Sequence, residues 1–193
     1  KALQVACVMA RHQVNMPKPC LKMYARWPKK PGNMLCARAR GLDHPEHGGT
    51  VVMSWLRHGF EINTDKTKLD QESILRMLRA TYWASEVPPA DLWESILNSR
   101  AYGMYSPDGE QAGFARVVTD GTRFAWLSDV YVLPIHRGRG LGKWLIETVI
   151  SDPAIAKVHR LMLSTNDAHD LYKEHGFDLI EGEEAAKMMM LVR

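Results

Sequence analysis

The spacing of apolar positions along the chain alternates between the period of a strand and that of a helix. A short strand is predicted at residues 59–63. A helix at residues 70–80 follows, because its apolar residues recur three and four positions apart. A second helix begins at Pro88-Pro89, since proline is favoured at the first helical position. We therefore expect one strand and two helices ahead of the main sheet.

Three predicted strands joined by short turns come next. They lie at residues 101–105, 112–119 and 124–133. Pro-Asp-Gly and Asp-Gly sequences separate them, and such sequences are typical of tight hairpin turns. The sequence therefore predicts an antiparallel meander.

The rest of the chain continues to alternate helices with strands. An amphipathic helix begins at Leu141, after a glycine-rich loop, and ends at Asp152-Pro153. The later predicted elements are a strand at residues 158–164, a short helix that opens near Asn166 or Asp167 and ends at Gly176, and strands at residues 177–180 and 188–192. This order predicts an α/β (α+β) fold with a mixed central sheet of about six to seven strands and flanking helices.

Residues 1–52 show neither period and differ in charge from the rest of the chain. The first fifty residues carry nine Lys or Arg against two acidic residues, a net charge of +7, while the remainder carries −4. They also contain five of the ten prolines. We therefore expect a basic extension at residues 1–52 and a single domain at residues 53–193. A solvated extension is favoured over one that binds nucleic acid or a membrane surface.

Composition excludes several classes of protein. Charged residues, Pro or Gly interrupt every apolar run before the roughly 18 residues that a membrane-spanning helix requires. The three cysteines are odd in number, widely spaced and without a CxxC pair, which favours neither a disulfide framework nor a zinc site. We expect a cytoplasmic protein that uses no metal ion and has neither a membrane nor a nucleic acid as its partner.

The most informative segment leads from a strand at Val130 through a glycine-rich loop directly into a helix. Unpaired backbone N–H groups converge at such a helix start and attract phosphate. The spacing does not fit the dinucleotide fingerprint, because Lys143 occupies its third glycine position. It does not fit the Walker loop either, which requires glycine at Arg137 and a hydroxyl at Trp144. Both nucleotide motifs are excluded.

Two motifs nevertheless match a known family. The loop contains R-x-x-G-x-G at residues 137–142, and residues 168–177 contain A-x-x-L-Y-x-x-x-G-F. These motifs resemble the two signatures of the GNAT superfamily of N-acetyltransferases, and residues 113–145 look like a bacterial subgroup of small single-domain members. The resemblance covers residues 56–193 and implies the GNAT fold.

The resemblance implies transfer of an acetyl group from acetyl-CoA to a primary amine of a small molecule or peptide. In that family the amine attacks directly in a ternary complex. A non-catalytic acyl-CoA-binding sensor or regulatory protein stays open as an alternative. Dimers are frequent in the family, so a homodimer is compatible with the resemblance.

The resemblance also implies which residues hold coenzyme A. Strand backbone at Val130, Tyr131 and Val132 would contact the pantetheine arm and the thioester oxygen. The phosphate loop contributes Arg137, Gly138, Arg139, Gly140, Leu141, Gly142 and Lys143. Asn166 matches a position that touches pantetheine in the family, although it would also serve as a plain helix cap.

Two residues are candidates for proton transfer. Tyr172 matches the family's tyrosine beside the coenzyme sulfur, which acts as general acid. Asp129 is the candidate base, because the apolar strand around it would desolvate its carboxylate. A structural role for Asp129, bonded to backbone or to an arginine, stays open, and so do Glu61 and ordered water as the base.

An amine pocket is expected beside the segment that joins the first two helices. The candidate residues are Tyr82, Trp83 and Glu86, with Tyr102 and Trp126 across from them. Aromatic side chains with one acid suit a cationic amine. They suit a hydrophobic core equally well, so the pattern alone leaves the acceptor open.

Overall fold

The computed structural model describes residues 51–191. The predicted basic extension at residues 1–52, including all three cysteines, lies outside them apart from its last two residues. Among residues 51–191, no helix has the length and apolar character needed to cross a membrane.

A six-stranded sheet forms the centre of the described region, and its strands lie side by side in chain order. The strands are β1 (Ser54–Arg57), β2 (Phe60–Asn63), β3 (Arg100–Tyr105), β4 (Gln111–Thr119), β5 (Phe124–Val132) and β6 (Arg160–Met162). The α-helices are α1 (Gln71–Arg79), α2 (Pro89–Leu97), α3 (Leu141–Ser151), α4 (His169–Lys173) and α5 (Gly182–Ala186). Short 3-10 helices occupy Lys66–Lys68 and Pro134–His136.

The first five strands pair antiparallel, and β6 pairs parallel to β5. This confirms the mixed sheet and the antiparallel meander. The turn between β4 and β5 is held by Asp120, whose carboxylate accepts the N–H groups of Thr122, Arg123 and Phe124. These three bonds stabilise the charged carboxylate and lower the pKa of Asp120 to about 2.

Capping residues and backbone conformation explain where the predicted helices begin and end. The side chain of Asp70 caps α1 by accepting the N–H of Ser73 at 3.0 Å. Helix α2 begins with Pro89 at its first position, where a missing N–H costs nothing. Helix α4 is followed by Gly176, whose φ of +86° fits a left-handed helix end.

Side chains pack against both faces of the sheet. On one face α1 and α2 bury an apolar cluster around Ile74, Ile96 and Phe114. On the other face α3 buries a larger cluster that includes Leu145 and Tyr102. The sheet is therefore the middle layer of three, and its strand ends are free to form a site.

The structure differs from the sequence-based predictions in two places. The strand β1 was not predicted, and it pairs with β2 through a turn in which His58 and Gly59 have positive φ. The strands predicted at residues 177–180 and 188–192 do not form within the described residues, which hold α5 instead. Leu179, Ile180 and residues 188–191 stay exposed because they reach no sheet edge, and hydrogen-bonded pairing is what makes an extended segment a strand. Phe177 instead packs against Tyr172. Val192 itself lies beyond the described residues.

Candidate active site

The two parallel strands of the sheet, β5 and β6, separate after a short paired stretch. They pair at three positions only, the last of which joins Trp126 to Met162. Beyond that pair, the outer edge of β5 has no strand partner among residues 51–191. Backbone N–H and C=O groups along this edge are available for an extended ligand, as at any unpaired strand.

A cleft of about 460 Å³ opens between the separated strands, α2, the segment that joins α1 to α2, and the start of α4. Its size is that of a small-molecule site. The lining residues with polar or aromatic groups used below are Tyr82, Trp83, Asp91, Arg116, Trp126, Asp129, Asn166, Asp167 and Tyr172. The cleft therefore brings together both predicted proton-transfer residues.

Asp129 lies at an irregularity of the sheet. The register between β4 and β5 shifts between Phe114 and Arg116, and opposite this shift Asp129 has a φ of +55°. Aspartate adopts this left-handed conformation more readily than most residues. A bulge of this kind bends its strand locally, and β5 pairs with β4 again at Tyr131 and Val132.

The carboxylate of Asp129 is buried and occupied by two donors. It accepts the indole N–H of Trp83 at 3.1 Å and is ion-paired with Arg116. Arg116 in turn donates to the hydroxyl of Ser99 at 3.1 Å. Asp129 is 6% exposed, so these bonds form largely away from water. They tie the segment that carries Trp83 to the middle of the sheet.

Tyr172 lies on α4 with its ring half-buried against the cleft. It packs edge-on against Phe177, with ring centroids 5.7 Å apart. Burial raises the pKa of Tyr172 to about 12, and the nearby Tyr82 and Asp167 act in the same direction. The phenol therefore keeps its proton throughout the neutral and mildly alkaline range.

Tyr82 joins the two walls of the cleft. Its hydroxyl accepts the backbone N–H of Asn166 at 3.1 Å, across 84 positions of sequence. Its ring also meets Trp83 edge-on, with centroids 4.9 Å apart. Asn166 thus contributes its backbone to the wall as well as lining the cleft.

The glycine-rich loop forms as the sequence predicts. Gly138 and Gly140 have φ values of +74° and +73°, which side-chain-bearing residues adopt only with strain. Gly140 caps the eleven-residue α3, whose first N–H groups have no partner within the helix. A Cβ atom added at Gly138, Gly140 or Gly142 would have no neighbouring atom within 4 Å, so a ligand has room to approach the backbone. The loop fits a diphosphate such as that of coenzyme A.

The basic side chains of the loop have different partners. Arg137 donates to the backbone carbonyl of Val132 at 2.9 Å and lies 5.3 Å from the ring centroid of Tyr131. Lys143 forms an ion pair with Glu174, the residue that follows α4, and this bond and charge lower the pKa of Glu174. Arg139 is exposed and forms no ion pair with residues 51–191. Arg139 is therefore the loop cation most accessible to a ligand.

Tyr102 does not line the cleft, which corrects the prediction that it contacts the amine. It is fully buried on the α3 face of the sheet, where its hydroxyl donates to Asp152 at 2.8 Å. Asp152 also accepts from Arg100 at 2.6 Å. Strand alternation is the reason, because the neighbouring Ala101 faces the α1 and α2 side instead.

Glu86 is also outside the cleft lining, and Asp91 of α2 supplies an acid there instead. Glu61, the other candidate base, is in β2 and pairs with Lys68, away from the cleft.

The sequence analysis did not identify Asp91, Arg116 and Asp167 as residues of the cleft. Of these three, only Asp167 could have been noticed in the sequence, because it lies directly before the second motif. Residues 51–191 contain no group of three or more His, Cys, Asp or Glu arranged to hold a metal ion.

Comparison with known proteins identifies relatives with the same fold. The chain is 38% identical to a crystal structure of a GNAT-family acetyltransferase, provisionally named, from Xanthomonas campestris pv. campestris, with a TM-score of 0.65 over 69% of this chain and 93% of that one. A provisionally named acetyltransferase from Deinococcus radiodurans shares the fold at 21% identity, with a TM-score of 0.54 over 70% of this chain and 90% of that one.

A curated relative in the fungus Gibberella zeae, also provisionally named an acetyltransferase, is 29% identical over 144 residues, which cover 64% of this chain and 81% of that protein. The sequence model of the Acetyltransferase (GNAT) family matches residues 71–177, more than half of the chain. That span contains both motifs and every lining residue of the cleft used above. The chain therefore belongs to the GNAT family of acetyltransferases.

Proposed function

We propose that the protein is an N-acetyltransferase that moves an acetyl group from acetyl-CoA to a primary amine. The observation that carries the proposal is the cleft, in which the unpaired edge of β5 and the tyrosine of the second motif face one space. The phosphate-binding loop follows β5 directly, so one extended ligand can reach both. Family membership supports acetyl transfer as the reaction class.

Acetyl-CoA supplies an activated acetyl carbon and a thiolate leaving group when it is bound. The N–H groups at Gly138, Gly140 and the first turn of α3 hold its diphosphate, and Arg139 adds charge. Val130, Tyr131 and Val132 offer backbone groups to the pantetheine arm and to the thioester oxygen. Asn166 borders the same path.

Tyr172 is the proposed general acid. The amine nitrogen bonds to the acetyl carbon, the carbon–sulfur bond breaks, and the phenol O–H of Tyr172 donates its proton to the departing sulfur. The attacking nitrogen then loses its excess proton to solvent. Tyr172 takes up a proton from solvent and is ready for the next cycle. The raised pKa of Tyr172 suits this role, because an acid must be protonated when the sulfur leaves.

Asp129 fits a positioning role better than that of a base. A base must take up a proton and lose its negative charge, whereas the carboxylate of Asp129 accepts the indole N–H of Trp83 and is paired with Arg116. Protonating it would leave the guanidinium of Arg116 without its counter-charge. We therefore propose that Asp129 holds Trp83 and Arg116 in place at the sheet bulge, while solvent accepts the proton of the amine.

Thiol release tests the proposal directly. Free thiol is measured with acetyl-CoA and a panel of amines, and coenzyme binding is measured separately by calorimetry. Coenzyme binding with amine-dependent thiol release supports the enzyme. Binding without release for any amine favours the second candidate, an acyl-CoA-binding sensor. The paired carboxylate of Asp129 is the observation behind that alternative, since it argues against the base that the sequence predicts.

A further inference from the structure

We propose that the acceptor is a diamine, with one amine that is acetylated and a second that stays a charged ammonium in the cleft. The inference rests on the proposed function and specifies its substrate class. It is carried by the cleft itself, through its size, its net charge and the nature of its walls.

The charge of the cleft is negative once its internal ion pair is discounted. Arg116 is the one cation among the lining residues, and Asp129 and Ser99 already engage it. Asp91 and Asp167 also line the cleft, and neither forms an ion pair with any residue of 51–191. A cleft with two uncompensated carboxylates attracts cations and repels acceptors that carry a carboxylate.

The two carboxylates belong to different walls. Asp91 lies in the first turn of α2, and Asp167 lies in the segment between β6 and α4. The bond between Tyr82 and the backbone of Asn166 joins these walls at 3.1 Å. Asp167 is close enough to Tyr172 for its charge to act on the phenol, which places it at the reacting end. Asp91 is left to contact the second ammonium.

The remaining wall is aromatic. Trp83 is fixed by its hydrogen bond to Asp129 and by the edge of Tyr82, so its ring is held at the cleft. Trp126 faces the cleft from β5. Ammonium groups and the methylene chain between them both pack favourably on aromatic faces. An amino alcohol of equal length lacks the second ammonium and its charge contacts, and an amino acid of equal length adds repulsion.

Three acceptors of matched length test the proposal: 1,4-diaminobutane, 4-amino-1-butanol and 4-aminobutanoate. At low salt we expect kcat/KM for the diamine to exceed that for the amino alcohol by about tenfold, with the amino acid lowest. High salt should shrink the difference. Equal values for the diamine and the amino alcohol would overturn the diamine inference and leave N-acetyl transfer standing. Acetylation of none of the three, nor of any other amine, would overturn both.

Charge-neutral variants locate the second ammonium. Asp91→Asn should raise KM for the diamine about threefold to fivefold and leave KM for the amino alcohol unchanged. The matched control is Glu94→Gln, an exposed acid of the same helix outside the cleft lining, which should change neither. Asp167→Asn should raise KM for both acceptors alike, because Asp167 is assigned to the amine that they share, and its control is Asp170→Asn. An equal shift for both acceptors in Asp91→Asn, or a shift in either control, contradicts the assignment.

Discussion

Two regions of the molecule are built on different principles. The proposed phosphate loop at residues 134–143 would act through its main chain, since its glycines set the backbone angles and the first N–H groups of α3 have no partner within the helix. The proposed acceptor wall at residues 82–95 would act through side chains that make specific bonds, such as Trp83 to Asp129. Changes to the loop should affect the coenzyme alone, and changes to the wall should affect the amine alone.

Tyr172 is the proposed general acid, and its removal gives the largest expected effect. Tyr172→Phe should lower kcat by about tenfold to 10⁴-fold with little change in acetyl-CoA affinity, because only the proton donor is lost. The ring contact with Phe177 is retained in this variant, so the melting temperature serves as the folding control. An unchanged kcat would remove Tyr172 from the chemistry.

The pH dependence of kcat/KM distinguishes the ionisation of the acceptor amine from that of Tyr172. Only the neutral amine attacks, so kcat/KM should rise about tenfold per pH unit below the acceptor's own pKa. A tyrosine with an ordinary pKa near 10 would begin to lose its proton above about pH 9. Because the pKa of Tyr172 is about 12, we expect no fall from loss of the acid between pH 9 and 10. A descending limb there that Tyr172→Phe abolishes would contradict this expectation.

The sequence predicts the main-chain region well. A glycine motif after a strand specifies its own geometry, because positive φ values and free N–H groups follow from the order of residues alone. Tyr172 was predicted from its resemblance to the family motif A-x-x-L-Y-x-x-x-G-F, whose glycine ends the helix. The meander was predicted from its turn residues, and Asp120 binds the backbone as such residues do.

The side-chain region could not be predicted in the same way. Arg116 reaches Asp129 only because β4 and β5 shift register, and no local pattern signals that shift. Asp91 enters the cleft through the docking of α2, whereas Glu86 nearby does not. Tyr102 faces the core because of strand alternation, which the aromatic content of its strand does not reveal. Such contacts depend on tertiary packing.

A matched pair of glycine variants tests the main-chain half of the comparison. Gly140→Ala and Gly121→Ala both place a Cβ at a φ of +73° in open space, so each should cost roughly 1–2 kcal/mol of strain. Gly121 lies in the turn between β4 and β5, away from the loop. We expect Gly140→Ala alone to weaken coenzyme binding, by about tenfold to a hundredfold, with the amine KM little changed. Equal affinities in the two variants, measured by calorimetry, would show that the loop does not bind the diphosphate.

The side-chain half is tested by Trp83→Phe, for which we expect the smallest effect. Phenylalanine keeps an aromatic wall but loses the bond to Asp129, whose carboxylate stays paired with Arg116. The amine KM should therefore rise about twofold to tenfold, with coenzyme affinity and the pH profile unchanged. Asp129→Asn is the companion variant. If Asp129 only positions its neighbours, Asp129→Asn should raise the amine KM and leave kcat nearly unchanged. A fall in kcat of about a hundredfold or more in Asp129→Asn, with kcat unchanged in Trp83→Phe, would make Asp129 a base and refute the positioning role.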